Sequence, residues 1–197
     1  MKLVKSFEKI NLNDGSLIYF PMFFDESEAI YYFNELSNII DFQQNEIKIF
    51  GKTFPTPRLE SFHSKENKQY GYSGNKLHSK PFNVILEKLL KNVEKATNSK
   101  FNCVLINLYR DGSDSNGWHA DNEQELGPNP IIASLSFGVT RRFDLKNNVT
   151  KETFSINLNS GDLLWMDNRI QNNYKHQIAK TKKVLEPRIN LTFRYIF

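Results

Sequence analysis

The 197-residue sequence predicts a mostly β, α+β fold, in which a sandwich or jelly roll of short strands follows amino-terminal helices. Three observations predict it. From Phe101 onward the chain divides into eight short β-type segments separated by turn residues. Upstream, two segments carry apolar residues at helical spacing. Between these two lies a short alternating stretch, broken at a glycine, of the kind that forms a hairpin.

Taken in order, the first helix is announced by Asp25 with Glu28 three residues later, a capping-box pattern, followed by Ile30, Phe33 and Ile40 as its apolar face. The hairpin occupies residues 46–58: Glu46, Ile47, Lys48 and Ile49 alternate, and Phe50-Gly51 makes the turn. The second helix is the stronger. Pro81 stands in its first turn, and Phe82, Ile85, Leu86, Leu89, Leu90 and Val93 trace one face, with Lys88, Lys91, Glu94 and Lys95 opposite, so it buttresses a sheet. Strands are expected near 102–110, 117–121, 131–137, 140–145, 152–158, 162–166, 174–178 and 187–196. With no repeat, linker or low-complexity stretch, residues 1–197 read as one domain: about 1–100 the helices and hairpin, about 101–197 the β core.

Composition excludes more than it identifies. No apolar run approaches the roughly 20 residues of a membrane helix, so no membrane partner is expected. The amino terminus is too polar for a secretory signal. A single cysteine, Cys103, excludes an internal disulfide and a multi-thiolate metal site, which places the chain in a reducing interior, cytoplasm or nucleus. Net charge is +4 and divides evenly: residues 1–100 hold 14 basic and 12 acidic side chains, residues 101–197 hold 12 and 10. There is no basic tail.

The chemistry begins at Trp118-His119-Ala120-Asp121. On a strand, His119 and Asp121 point the same way and supply an imidazole and a carboxylate from one face. Of the four histidines, His63 and His78 stand in polar contexts and read as surface or turn residues. His176, on a later β segment, is the natural third ligand. Two His and one carboxylate leave coordination positions open, as in non-haem Fe(II) oxygenases. The same three groups could hold a hydrolytic zinc.

The last strand alternates strictly. Arg188, Asn190, Thr192 and Arg194 share one face, and Ile189, Leu191, Phe193 and Tyr195 the other. Asn107 and Tyr109, two apart on an earlier strand, can each donate to a carboxylate. Arginine forks match planar carboxylates, so two arginines, an amide and a phenol beside the triad describe a socket for a small dicarboxylate; 2-oxoglutarate fits.

Asn107-x-Tyr109, His119-x-Asp121, His176 and Arg188-x-Asn190-x-Thr192-Phe193-Arg194 together resemble the AlkB family of Fe(II)/2-oxoglutarate-dependent nucleic-acid dealkylases. Upstream, Ile49-Phe50-Gly51-Lys52, Pro57-Arg58 and Tyr70-Gly71-Tyr72-Ser73-Gly74 resemble its homologue 2 and 3 branch. The resemblance spans about residues 45–197. It implies a double-stranded β-helix core, iron on His119, Asp121 and His176, and 2-oxoglutarate on Arg188, Asn107 and Tyr109, with Asn190 and Arg194 nearer the metal; O2 is the oxidant. It implies oxidative demethylation of bases such as 1-methyladenine and 3-methylcytosine in alkylated DNA, double- or single-stranded, with RNA a further candidate. A monomer is the default expectation.

In that family reading the target base is flipped out of the stack, sandwiched by Tyr70, Tyr72 and His119 and touched by Glu123. Phe50 is the candidate wedge and Arg58 flanks the path. Asn122 replaces an acidic residue and Tyr72 a phenylalanine. The lysines 175, 180, 182 and 183 are candidate phosphate contacts. Trp118 and Trp165 read as packing residues. The competing readings are an oxygenase acting on a regulatory RNA mark, a protein or a lipid, and a non-catalytic jelly-roll binding module.

Overall fold

A computed structural model describes residues 6–49, 51–68, 70–72 and 75–197. The eight strands expected after residue 100 are all present. They are β9 (Cys103–Tyr109), β10 (Asn116–His119), β11 (Ile132–Gly138), β12 (Arg141–Asn147), β13 (Thr153–Leu158), β14 (Leu163–Met166), β15 (Tyr174–Ile178) and β16 (Arg188–Arg194). They divide four and four. β14-β11-β16-β9 form the centre of one sheet and β10-β15-β12-β13 make up the other, the jelly-roll arrangement.

The amino-terminal half contributes more sheet than the sequence announced. β1 (Glu8–Leu12) and β2 (Gly15–Phe20) add to the main sheet beyond β14. β5 (Leu59–Ser64) and β8 (Ser79–Lys80) add beyond β9, giving the order β1-β2-β14-β11-β16-β9-β5-β8. The expected hairpin is β3 (Glu46–Ile49) with β4 (Lys52–Pro55). A second small pair joins β6 (Tyr70–Tyr72) to β7 (Asn75–Leu77). Phe50, the candidate wedge, lies outside the described residues, as does the side chain of Tyr72.

Helix α1 (Glu26–Ile39) begins at the expected capping box, with the Asp25 side chain accepting from the Glu28 N–H at 2.8 Å. Its buried residues are Ala29, Tyr32 and Leu36; of the expected face, Phe33 packs against the core and Ile40 is buried just past the helix end, while Ile30 points outward. Helix α2 (Val84–Thr97) starts later than expected. Asn83 caps it by accepting from the Leu86 N–H at 2.9 Å, which leaves Pro81 ahead of the helix. Leu86, Leu89, Leu90 and Val93 pack on Val104, Ile106, Ile189, Leu191 and Phe193, so the helices cover one face of the main sheet with a continuous apolar layer.

The opposite face meets the four-stranded sheet. One side of that interface is apolar, around Leu17, Ile132, Phe143, Leu145, Leu164 and Ile170. The other side is polar by register. Glu60 of β5 lies opposite Asn107 of β9, which lies opposite Asn190 of β16, which lies opposite Ser136 of β11. One pair further along β9, Tyr109 lies opposite Arg188. Antiparallel partners share a face, so these side chains converge between the sheets although they come from four separated segments.

The two histidines outside the cluster settle differently from one another, and so do the two tryptophans. His78 is exposed, as expected. His63 is not a surface or turn residue: it is buried on β5, its Nδ1 2.8 Å from the Pro81 carbonyl and its Nε2 3.2 Å from Ser61 Oγ. Trp165 packs against the helical core and donates to Ser99 Oγ at 3.0 Å, whereas Trp118 is exposed.

A glycine ties this architecture together. Gly161 precedes β14 at φ +84°, accepts from the Phe24 N–H and donates to the Ser136 carbonyl. A Cβ there would sit 2.2 Å from the Phe24 carbonyl oxygen. Gly161→Ala therefore combines a left-handed backbone penalty with a backbone clash, and is expected to destabilise the fold by at least about 2 kcal/mol in chemical denaturation.

Candidate metal and co-substrate site

β10 and β15 are neighbours, and their register sets His119 directly opposite His176. The two rings stand 4.2 Å apart, edge to face. Asp121 completes the cluster, and one ligand atom from each of the three lies within 4.8 Å of the others. The route by which Asp121 arrives differs from the sequence reading. β10 ends at His119 and its register is irregular between Asn116 and His119, so Asp121 is not presented by a strand. Its backbone N–H instead donates to the Gln171 Oε1 at 2.9 Å, and its carboxylate accepts from Arg194 at 2.8 Å. Gln171 belongs to α3 (Asn168–Asn173), the short helix that leads into His176. No pattern in the sequence pointed to it.

Electrostatics leave these groups ready for a cation. Burial first, then the neighbouring His119 and Arg194, push the His176 imidazole down to about 3, against the pull of Asp121. Burial likewise lowers His119. Both rings are thus neutral and retain lone pairs. The His119 Nδ1 lies 2.7 Å from the Gly117 carbonyl, which fixes the proton there and leaves Nε2 as the ligand atom. For Asp121, burial would raise the carboxyl, but Arg194 and the two histidines outweigh it and hold it at about 2. Two neutral imidazoles and one carboxylate suit a divalent transition metal with open positions.

Beside the cluster lies a pocket lined by Asn107, Tyr109, Arg188, Asn190, Thr192 and Arg194, continuous with His119, Asp121 and His176. Arg188 is 1% exposed, yet only one of its nitrogens is satisfied within the protein, by Ser136 Oγ at 2.9 Å. Its Nε and second terminal nitrogen have no partner, and the same holds for two nitrogens of Arg194. Buried donors are seldom left in this state, and two half-satisfied guanidinium forks in one pocket fit a ligand carrying two carboxylates. This is the donor set 2-oxoglutarate requires. The Asn107 carbonyl oxygen is engaged by Arg58 Nε at 2.8 Å, which turns its amide N–H2 to the pocket. Asn190 is more self-contained: its amide donates to Ser134 Oγ and the Leu135 carbonyl and accepts from Thr192.

A second, open cleft of about 500 Å³ meets the cluster from the other side. It is lined by Ile47 of the hairpin and by Arg58, Tyr70, His119, Asn122 and Glu123. Tyr70 is 2% exposed, with Arg194 over its ring at 5.3 Å and Phe62 beside it at 5.4 Å. Glu123, which hydrogen-bonds Tyr70, is raised above the ordinary carboxylate range by burial and by the nearby Asp121. One of its oxygens is buried without a partner. Arg58 reaches the cleft wall but is committed elsewhere: it pairs with Glu60 at 2.7 Å and donates to the Ser115 carbonyl. The lysines 175, 180, 182 and 183 are all exposed. Among the described residues, no helix is long and apolar enough to cross a membrane.

The chain matches known proteins over most of its length. Residues 16–194 match the model of the 2OG-Fe(II) oxygenase superfamily. The chain is 34% identical over 188 residues to the human DNA oxidative demethylase ALKBH2, covering 90% of this chain and 72% of that protein. Against the mouse ALKBH2 the identity is 34% over 194 residues, covering 93% and 81%. Against the human alpha-ketoglutarate-dependent dioxygenase alkB homolog 3 it is 34% over 188 residues, covering 90% and 65%. Among solved structures, OsALKBH1 superposes with a TM-score of 0.66 at 18% identity over 95% of this chain and all of that one, a likeness of fold.

Proposed function

Because this chain belongs to the 2OG-Fe(II) oxygenase superfamily, we propose that it demethylates N-alkylated bases, of the 1-methyladenine and 3-methylcytosine type, in DNA. The observation that carries the reading is the junction of two spaces at His119 and Asp121: a small pocket lined by Asn107, Tyr109, Arg188 and Asn190 on one side, and on the other a much larger cleft lined by Tyr70, Asn122 and Glu123. His119, Asp121 and His176 would hold Fe(II), which with 2-oxoglutarate and O2 would supply the oxidation of the methyl carbon, released as formaldehyde, with succinate and CO2 as co-products.

The protein's own residues bind and orient. Arg188 and Arg194 hold the two ends of the co-substrate, with Asn107 and Tyr109 as further donors. Of the two spaces, only the cleft of about 500 Å³ has room for a base, which enters from that side. A base edge is hidden within a duplex, so the target nucleotide is flipped into the cleft. There His119 offers a ring face, and Glu123, with one free oxygen, meets the polar edge.

The test uses the protein loaded with Fe(II), 2-oxoglutarate and ascorbate in air. Its substrates are oligonucleotides carrying 1-methyladenine or 3-methylcytosine as single- and double-stranded DNA and as RNA. The expected result is the loss of one CH2 mass per repaired base with one formaldehyde released. Turnover of 2-oxoglutarate with no mass loss on any nucleic acid would refute the substrate assignment and move the reading to a protein or lipid substrate. Repair confined to RNA would correct DNA to RNA.

A further inference from the structure

Tyr109 lies between two buried guanidinium groups. Arg188 stands 5.4 Å from the centre of its ring and Arg141 5.5 Å. Arg141 comes from β12, on the other sheet, where alternation places it on the same face as Phe143 and Leu145. It is 3% exposed. Its N–H groups go to three backbone carbonyls: Asp111 at 3.0 Å, Asp114 at 2.9 Å and Ala179 at 2.8 Å. It therefore fastens the segment after β9 to the segment after β15. Asp114, whose main chain it grips, spends its own carboxylate on Arg110.

Among the described residues, neither Arg141 nor Arg188 has a carboxylate within ion-pair distance. Burying one cation without a counter-ion is unfavourable, and burying two around one ring is more so. Burial, aggravated by the like charge of Arg141, pushes Arg188 down to about 10, against the opposing effect of Tyr109. What would relieve both is an anion at the Tyr109–Arg188 end of the pocket. Arg141 does not line that pocket, whereas Tyr109 and Arg188 do.

We propose that Arg141 is a positioning residue for co-substrate selection. It holds the Tyr109 phenol against Arg188 and adds a second buried positive charge behind it, so that the pocket prefers a dicarboxylate to a monocarboxylate 2-oxoacid. This rests on the reading of the Arg188 pocket as the 2-oxoglutarate site.

The experiment is calorimetric binding of 2-oxoglutarate and of 2-oxopentanoate, which has a methyl in place of the far carboxylate, to the full chain with Mn(II) replacing iron. Wild type, Arg141→Gln, Arg141→Lys and Arg188→Gln are compared. Arg141→Gln is expected to weaken 2-oxoglutarate by about five- to tenfold while 2-oxopentanoate changes by less than about twofold; Arg141→Lys keeps the preference, because it keeps the charge. Parallel loss of both ligands would mean that Arg141 only braces the fold, and an unchanged preference would overturn the proposal as directly. Should Arg141→Gln fail to fold by circular dichroism, Arg141→Lys decides, since loss of its dicarboxylate preference contradicts a charge effect. Arg188→Gln separates the two levels. If it leaves the preference intact, the co-substrate reading itself fails; if it abolishes the preference and Arg141→Gln does not, only the role of Arg141 falls.

Discussion

His176→Ala is expected to leave a folded protein that has lost metal binding and 2-oxoglutarate turnover by well over about a hundredfold, since even partners outside the ligand set cost about 10- to 100-fold. The separation of fold from activity follows from what His176 touches. It is neutral, its neighbours are His119, Phe143 and Asp121, and its Nδ1 has no partner, so removing it leaves no uncompensated charge. Asp121→Ala is expected to behave differently. It takes away the same metal but also strips Arg194, 3% exposed, of its ion-pair partner. That variant should lose about 3–5 kcal/mol of stability in addition to activity. Mn(II) titration and urea denaturation of both variants check the contrast. Unaltered Mn(II) affinity in His176→Ala would remove it from the ligand set, and equal stability of the two would refute the charge argument for Asp121.

That contrast separates what the sequence can and cannot convey. The alternation of Arg188, Asn190, Thr192 and Arg194 was legible because it obeys a period, and the structure turns this face away from the helices and into the pocket. His119 and His176 were legible as residue types; their meeting depends on a strand register that only pairing fixes. Asp121 was legible as a ligand but not as a loop residue, because the Gln171 contact that holds it lies 50 positions away. The same limit hid β5. In LESFHS, Glu60, Ser61, His63 and Ser64 are all buried: Glu60, His63 and Ser64 find partners in Asn45, the Pro81 carbonyl and Ser79, and Ser61 pairs with His63. For β1 and β2 a usable signal existed: Asn13-Asp14 ahead of Gly15 is a hairpin turn between short alternating runs. Arg141 could have been placed inward by the period of β12, although nothing local named what it would face.

Glu60 carries the largest expected effect on stability outside the metal cluster. Its carboxylate, 1% exposed, accepts from Arg58 at 2.7 Å and from Asn45 at 3.0 Å, and Arg58 in turn orients Asn107. Arg58 thus links the base of the hairpin to the co-substrate pocket, besides lining the larger cleft. Glu60→Leu leaves a buried guanidinium facing an apolar side chain and is expected to cost about 3–5 kcal/mol. Replacing both partners, Arg58→Met with Glu60→Leu, removes the stranded charge and should recover most of that loss, because well-packed apolar pairs often match buried ion pairs in stability. Function should not recover with it. Without Arg58 Nε the Asn107 amide is free to turn, and the KM for 2-oxoglutarate should rise severalfold while the KM for the nucleic acid stays near wild type. Denaturation midpoints and the two KM values for the single and double variants give the answer. If the double variant regains both stability and co-substrate affinity, the pair serves the fold alone; if stability stays lost, the burden lies in packing around β5 rather than in the stranded charge.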